Sequence, residues 1–123
     1  MRTTGYRIEL NGIHLYANHG VMEQEKAIGA WFTIDIRLDI TDTSCLESDD
    51  IEGTVSYADV YNIVSSCMDR PSRLLENVCY RISNAIYEAF GQVKGISIRL
   101  AKDTPPMGGD RLSASVTIES KRE

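Results

Sequence analysis

The feature of this sequence that most constrains its fold is a strand-like stretch that ends abruptly before a proline pair. From Ile96 to Leu100, apolar and polar side chains alternate, which is the period-two pattern of a strand with one buried face. Lys102 follows the end of this pattern, and Pro105 and Pro106 cannot continue a ladder because proline has no N–H. The pattern therefore predicts that Lys102 is held at the end of a rigid strand with its ammonium group accessible. A lysine that simply closes a strand at its solvent edge would give the same pattern.

Three other stretches alternate in the same way. Residues 6–16 alternate apart from an interruption at Asn11 and Gly12, which we interpret as a β-bulge in one long strand rather than as a hairpin turn. Residues 31–40 form the most regular alternation, which is longer than the typical strand of about five or six residues. The final strand is predicted to carry its apolar side chains on one face, at Leu112, Ala114, Val116 and Ile118.

Two stretches have the apolar period of amphipathic helices. The first begins with the capping-box pattern Ser-Tyr-Ala-Asp at residues 56–59, which places Tyr57 at the first helical position. The second is predicted to begin near Ser72 and to end at Gly91. Glu76 falls in its first turn, where the helix dipole favours a carboxylate.

The resulting element order is ββααββ, which predicts an α+β domain with a long-stranded antiparallel sheet and two helices on one face. Two helices cover only one face of a four-stranded sheet, and long regular edge strands promote pairing with other chains. We therefore expect oligomerisation through the sheet edges, with subunits closing a β-barrel. A chain of this length is also expected to form a single domain, residues 1–123, with one core.

Composition and charge argue against several kinds of partner. The net charge of −5 lacks the basic surface that nucleic acids and anionic membranes require, so neither is expected as a partner. No apolar run approaches the roughly 20 residues of a transmembrane helix. Three cysteines without a C-x-x-C pair fit reduced thiols, which indicates a cytoplasmic protein.

The sequence offers little for binding a metal ion. Two histidines, His14 and His19, are too few for a three-histidine zinc site in one chain, and His19 with Gly20 is better interpreted as a turn than as a ligand. The acidic segment over residues 41–53 does not have the spacing of a calcium loop and is expected to be a solvated loop. We therefore predict neither a metal nor a cofactor.

The remaining candidate reactive groups all lie at the ends of predicted elements. They are Lys102, Tyr57, Glu76 and Glu25, the last in a polar connection over residues 21–26 that we expect to be a loop. Such a set suits acid–base chemistry on an organic substrate without a metal. Structural explanations also exist, because Tyr57 could be a packed amphipathic residue and Glu76 could simply complement the helix dipole. The residues alone leave the function open.

Four segments together resemble the dihydroneopterin aldolases of folate biosynthesis. They are His19-Gly20 with Glu25 and Ile28-Gly29 behind it, Thr-Val-Ser-Tyr-Ala-Asp-Val at residues 54–60, Leu74-Leu75-Glu76, and Leu100-Ala101-Lys102 before Pro105-Pro106. Their order, their spacing and the ββααββ frame cover nearly the whole chain. The resemblance implies the tunnelling fold, in which four subunits close a sixteen-stranded barrel and two such rings commonly stack as an octamer.

The resemblance also implies a reaction and a binding site. The family cleaves 7,8-dihydroneopterin by a retro-aldol reaction, without a metal, into 6-hydroxymethyl-7,8-dihydropterin and glycolaldehyde. Carried over by motif, Glu76 would bind the amino and ring N–H groups of the pterin in a two-point, charge-assisted contact. Leu75 and Val55 would line the pocket of the pterin ring.

The catalytic roles follow from the same resemblance. Lys102, with an ordered water, would move the proton of the side-chain hydroxyl, and Glu25 would lie near this lysine and the substrate hydroxyls. Tyr57 would come from the neighbouring subunit and transfer a proton to the cleaved intermediate. The sequence departs from the family at Asn18, where many members have tyrosine, and at residues 107–109 (Met-Gly-Gly), so local substrate contacts there are not carried over.

Two other functions are compatible with these residues. The first is epimerisation of dihydroneopterin or its triphosphate at the side chain, since the same groups could break and remake the carbon–carbon bond. A triphosphate would favour basic residues at the pocket mouth, and Arg70, Arg73 and Arg111 are candidates. The second is a ring-forming scaffold that binds a pterin or purine through Glu76 without turnover, although the presence of the catalytic set argues against it.

Overall fold

The computed structural model describes residues 1–103 and 113–123, which form a four-stranded sheet with helices packed on one face. Neighbouring strands are antiparallel and follow one another in chain order. The α+β prediction is therefore confirmed. The predictions that concern Pro105, Pro106, Arg111, Leu112 and residues 107–109 fall outside the described residues. The strands are β1 (Tyr6–Ala17), β2 (Ala30–Ile40), β3 (Val93–Lys102) and β4 (Ala114–Lys121).

The predicted bulge in β1 is confirmed by the pairing register. Leu10 faces Ile36 of β2, but Ile13 faces Ile34, so β1 contains one extra residue at this point. Gly12 takes a positive φ of 73° there, and its N–H donates to Asp35 Oδ1 at 2.7 Å. Because of the bulge, the apolar side chains of both halves of β1 lie on the same face of the sheet.

The core lies between the sheet and two long helices. The inward residues of β2, from Phe32 to Ile40, are fully buried, as the alternation predicts. The helices are α3 (Tyr57–Met68) and α4 (Leu75–Ala89), numbered after two short helices, α1 (Glu23–Ile28) and α2 (Ser44–Ser48). Their buried apolar positions follow the predicted apolar stripes and are Val60, Val64, Met68, Val78, Cys79, Ile82 and Ile86.

Two predicted loops contain short helices. The prediction that residues 21–26 form a loop is wrong, because α1 begins within this segment at Glu23. None of the residues of α1 is buried, so it has no apolar stripe that a sequence pattern could reveal. The acidic segment likewise contains α2 and a 3₁₀-helix at Ile51–Gly53. Within residues 1–103 and 113–123, no group of acidic, histidine or cysteine side chains is placed to hold a metal ion.

One predicted helix start and one predicted helix cap differ from the structure, whereas Tyr57 is the first residue of α3 as predicted. The second long helix begins at Leu75 rather than near Ser72, because the backbone N–H and C=O of Ser72 bond to His19 and Gly20 instead. Ser56 is the N-cap of α3 but its side chain makes no capping hydrogen bond, so the capping box is not formed. Among the described residues, no helix has the length and apolar character needed to span a membrane.

Candidate active site

Lys102 lies at the end of β3, where its side chain pairs with the carboxylate of Glu25. The lysine is the last residue of the strand, between Phe32 of β2 and Ala114 of β4. Only 7% of it is exposed, and its Nζ donates to Glu25 Oε2 in an ion pair. The interpretation of Lys102 as a solvent-edge residue is therefore wrong.

Glu25 is held in place by its own helix as well as by the lysine. Its Oε1 accepts a hydrogen bond at 3.2 Å from the N–H of Met22, the residue that precedes α1. The hydrogen bond from Lys102, followed by that from the Met22 backbone, lowers the pKa of the Glu25 carboxyl below its ordinary value. Glu25 is therefore an ionised and oriented carboxylate at neutral pH.

Gly20 allows Glu25 to approach this closely. A β-carbon at Gly20 would overlap the Cβ of Glu25 and lie 3.0 Å from its Cδ. Asn18 secures the same helix from the other side, because its Nδ2 donates to Lys26 O at 2.8 Å. Asn18, the residue at which the sequence departs from the family pattern, therefore attaches α1 to the end of β1.

The ion pair forms one wall of a small open cavity beside the start of α4. The cavity has a volume of about 210 Å³. Glu76 is exposed in the first turn of α4 and lines the cavity together with Leu75. Four of the sequence-predicted site residues thus lie around one space, and they are Glu25, Leu75, Glu76 and Lys102.

A second cavity is also lined by this ion pair. It has a volume of about 440 Å³ and is lined by Met22, Ile28 and Ala30 as well as by Glu25 and Lys102. Its apolar wall includes Met22 and Ile28, which are 59% and 65% exposed. The ion pair therefore borders two cavities although little of it is exposed.

Tyr57 and Val55 are not brought to either cavity within one chain. Tyr57 is the first residue of α3 and is 69% exposed. Val55 is buried in the core of its own chain, at 2% exposure. Neither lines the two cavities around the ion pair. A single chain therefore assembles only part of the predicted residue set.

His19 is a member of this site that the sequence analysis interpreted only as a turn. It is 1% exposed, lines the smaller cavity, and its Nδ1 accepts a hydrogen bond from the N–H of Ser72 at 3.0 Å. Burial, reinforced by the charges of Arg81 and Lys102, lowers the pKa of His19 from 6.5 to about 4. No local sequence pattern could reveal this, because Ser72 is 53 residues away.

Comparison with known proteins identifies the family. The family model described as FolB, dihydroneopterin aldolase, matches residues 8–119. This chain belongs to the dihydroneopterin aldolase family. A dihydroneopterin aldolase of Staphylococcus epidermidis is 37% identical over 103 residues, which are 83% of this chain and 85% of that protein. The dihydroneopterin aldolase of Bacillus subtilis is 26% identical over 117 residues, which are 94% of this chain and 98% of that protein.

Solved structures of dihydroneopterin aldolases share the fold. A putative dihydroneopterin aldolase from Vibrio cholerae has a TM-score of 0.85 at 22% identity and covers 98% of this chain and 100% of its own. The Escherichia coli dihydroneopterin aldolase, solved in complex with neopterin, has a TM-score of 0.83 at 22% identity. The match covers 94% of this chain and 98% of the Escherichia coli chain. The predicted tunnelling fold is thereby confirmed for the single subunit.

Proposed function

We propose that this protein is a lyase that cleaves 7,8-dihydroneopterin into 6-hydroxymethyl-7,8-dihydropterin and glycolaldehyde. The observation that carries the proposal is the arrangement of Glu25, Lys102 and Glu76 around one cavity. An ion pair lies on one side, and an exposed carboxylate in the first turn of a helix lies on the other. Membership of the dihydroneopterin aldolase family supplies the substrate class.

The pterin ring binds at the start of α4. Glu76 accepts hydrogen bonds from the amino group and a ring N–H of the pterin, which is a planar, two-point contact suited to a carboxylate. Leu75, half-buried beside it, packs against the ring. This position directs the substituent on the ring toward Lys102 and Glu25, which line the same cavity.

The cleavage step uses the electrons of the substrate itself. Removal of the proton from the hydroxyl next to the scissile bond forms a carbonyl, and the carbon–carbon bond breaks to release glycolaldehyde. The electron pair of that bond moves into the C=N bond of the ring, and a proton then returns to the remaining carbon. Because the ring accepts the electrons, the reaction needs neither a Schiff base nor a metal ion.

The residues of this chain have separate parts in these proton transfers. Lys102, with an ordered water, moves the proton of the substrate hydroxyl, and Glu25 orients both the lysine and the hydroxyl groups. Tyr57 returns a proton to the cleaved intermediate. Since Tyr57 is exposed and does not line the cavity of its own chain, it acts from the neighbouring subunit.

The assembly that brings Tyr57 to the site is a ring of four subunits that closes a β-barrel. Within the described residues, β1 pairs only with β2 and β4 only with β3, so both sheet edges are open to a neighbouring subunit. Two such rings stack as a homo-octamer. The protein acts in the cytoplasm on a small pterin, without a nucleic-acid or membrane partner.

The direct test is incubation of the purified protein with 7,8-dihydroneopterin in the presence of a chelator. Pterins and glycolaldehyde are followed by chromatography. We expect equal amounts of 6-hydroxymethyl-7,8-dihydropterin and glycolaldehyde. Tight pterin binding without any product would instead support the scaffold function and overturn the proposal.

One observation favours side-chain epimerisation as a second candidate. Arg73 lines the cavity beside Glu76, where it could bind a phosphorylated side chain. Arg70 instead lines a different cavity, between α3 and α4. In the same incubation, an epimer of the substrate in place of glycolaldehyde would identify this activity, and the triphosphate substrate would then be preferred.

A further inference from the structure

Two hydrogen bonds join the turn after β1 to the segment before α4. The N–H of Ser72 donates to His19 Nδ1 at 3.0 Å, and the N–H of Gly20 donates to the C=O of Ser72 at 3.0 Å. The backbone N–H and C=O of Ser72 therefore both bond to the consecutive residues His19 and Gly20, which lie 53 and 52 positions earlier in the chain. We call this pair of bonds the His19–Ser72 clasp.

The clasp requires one form of the histidine. Because Nδ1 accepts a hydrogen bond from an amide, the neutral ring carries its proton on Nε2. Nε2 is buried and has no hydrogen-bond partner among the described residues. The edge of the ring packs against Phe32, with centroids 5.4 Å apart. Protonation of Nδ1 would replace its acceptor by a donor facing another donor, so only neutral His19 maintains the clasp.

The two ends of the clasp connect to the two walls of the cavity. Gly20 contacts Glu25, which pairs with Lys102 on the catalytic side. Ser72 lies three residues before Leu75, where the pterin-binding side begins. The separation between these walls is therefore set through His19, which itself lines the cavity.

The Ser72 end of the clasp is fixed by further hydrogen bonds. Arg81 of α4 donates from Nη2 to Ser72 Oγ at 2.7 Å and to the C=O of Arg70 at 2.8 Å. The hydroxyl of Ser72 in turn donates to Asn77 Oδ1 at 2.7 Å. Because α4 holds Ser72 so firmly, a change at His19 would move the β1–α1 turn relative to α4.

We propose that His19 is a positioning residue that holds the pterin-binding wall and the Lys102–Glu25 wall at the separation the substrate requires. This inference rests on the proposed function, since it assigns the clasp to that cavity. His19 acts through Ser72 and Gly20 and touches neither the scissile bond nor its protons. Its loss weakens pterin binding more than it slows the chemical step, because binding needs both walls at once.

The test compares two substitutions that differ in the acceptor. In His19→Asn, the amide oxygen lies near the position of Nδ1 and can accept the Ser72 N–H. His19→Leu fills similar space but has no acceptor, so it leaves a buried N–H unpaired. Val64→Ala removes methyl groups from a fully buried position of α3 and serves as a control for general loss of core stability.

The measurements are the free energy of unfolding in urea, the Kd for neopterin, and kcat and KM for 7,8-dihydroneopterin. We expect His19→Leu to weaken neopterin binding about tenfold or more, with a smaller change in kcat. His19→Asn should stay within about threefold of the wild-type Kd. Val64→Ala should lose stability without a change in Kd. Equal losses of affinity in the Asn and Leu variants, or wild-type affinity in His19→Leu, would overturn the proposal.

A second measurement tests the clasp itself, whatever ligand the protein binds. Nitrogen NMR of the histidine rings at neutral pH should show His19 as the neutral form protonated at Nε2, assigned by its loss in His19→Asn. Protonation at Nδ1 would overturn the clasp even if the protein cleaves dihydroneopterin. Conversely, a wild-type protein that shows the expected tautomer but neither binds neopterin nor cleaves dihydroneopterin would refute the proposed function and the assignment of the clasp to it.

Discussion

At the scale of single residues, the site depends on how closely charged groups approach one another. Lys102 is almost completely buried, yet its charge is compensated by Glu25, which meets the requirement that buried charges are paired. Glu25 reaches the lysine only because Gly20 has no side chain in its path. The geometry of the ion pair therefore depends on a residue that performs no chemistry.

Replacement of Gly20 by alanine should disturb this ion pair. The new methyl group would overlap the Cβ of Glu25, so the carboxylate or the turn must shift away from Lys102. We expect kcat/KM for 7,8-dihydroneopterin to fall about tenfold or more. Gly91→Ala is the matched control, because a β-carbon there has nothing within 4 Å. Wild-type kinetics in Gly20→Ala would show that the close approach of Glu25 is not needed.

The low pKa of His19 predicts how stability changes with pH. The folded protein protonates His19 at a pH of about 4, whereas the unfolded chain does so near 6.5. Between these values the unfolded chain binds more protons, so the free energy of unfolding falls as the pH is lowered from 6.5 to 4. Above pH 6.5, this lowered pKa of His19 contributes about 3 kcal/mol to the free energy of unfolding. The contribution is fully lost below the folded pKa of about 4.

Urea denaturation of the wild type and His19→Asn over this pH range measures that contribution. Other groups titrate in both proteins, so the difference between the two stabilities isolates His19. We expect the advantage of the wild type to shrink as the pH is lowered. Two curves that stay parallel from pH 7 to pH 4 would contradict the lowered pKa.

At the scale of elements, the strands carry most of the information that the sequence makes visible. The period-two alternation of residues 31–40 predicts β2 and its buried face, because each inward side chain meets the same core. The phase shift at Gly12 likewise predicts the bulge. The short helix α1 could not be predicted, because it buries no apolar side chain and is attached by polar contacts such as Asn18 to Lys26 O.

The residues of the candidate site also differ in whether a sequence pattern could locate them. Lys102 could be located from the end of an alternating strand, and Glu76 from the first turn of a helix. Their meeting with Glu25 depends on tertiary packing, and it was expected from family resemblance rather than from spacing. His19 escaped prediction because its hydrogen-bond partner, Ser72, is distant in sequence and uses a backbone group that has no sequence signature.

The bulge offers a test of strand stability. Gly12 has a φ of 73° and open space around its missing side chain, so alanine there would be strained only by its backbone. We expect Gly12→Ala to lower the free energy of unfolding by about 1–2 kcal/mol. The measurement is urea denaturation, with Gly91→Ala again as the control. A stability equal to that of the control variant would show that the bulge tolerates a side chain.

At the scale of the whole molecule, the proposed active site is incomplete within a single chain. Its cavity contains Lys102, Glu25 and Glu76, whereas Tyr57 is exposed elsewhere and both edges of the sheet are open within the described residues. Barrel closure through β1 and β4 would bring a neighbouring Tyr57 to this cavity. The proposed function therefore ties activity to assembly, and a monomer should be inactive.

Mixing two inactive variants tests this dependence. Tyr57→Phe and Lys102→Met should each lose most of the cleavage activity. When the two are refolded together in equal amounts, about a quarter of the sites receive an intact lysine from one subunit and an intact tyrosine from the next. We expect that share of wild-type activity to return. A mixture as inactive as its components would place both residues in the same subunit's site.

The most direct measurement of the central claim separates binding from turnover in Glu76→Ala and Lys102→Met. Neopterin Kd and the rate of 7,8-dihydroneopterin cleavage are measured for both. We predict that Glu76→Ala weakens neopterin binding by about tenfold to a hundredfold, because it removes a charge-assisted contact. Lys102→Met should bind neopterin within about threefold of the wild type but lose about a hundredfold or more in turnover. Wild-type binding and turnover in both variants would contradict the assignment of this cavity as the active site.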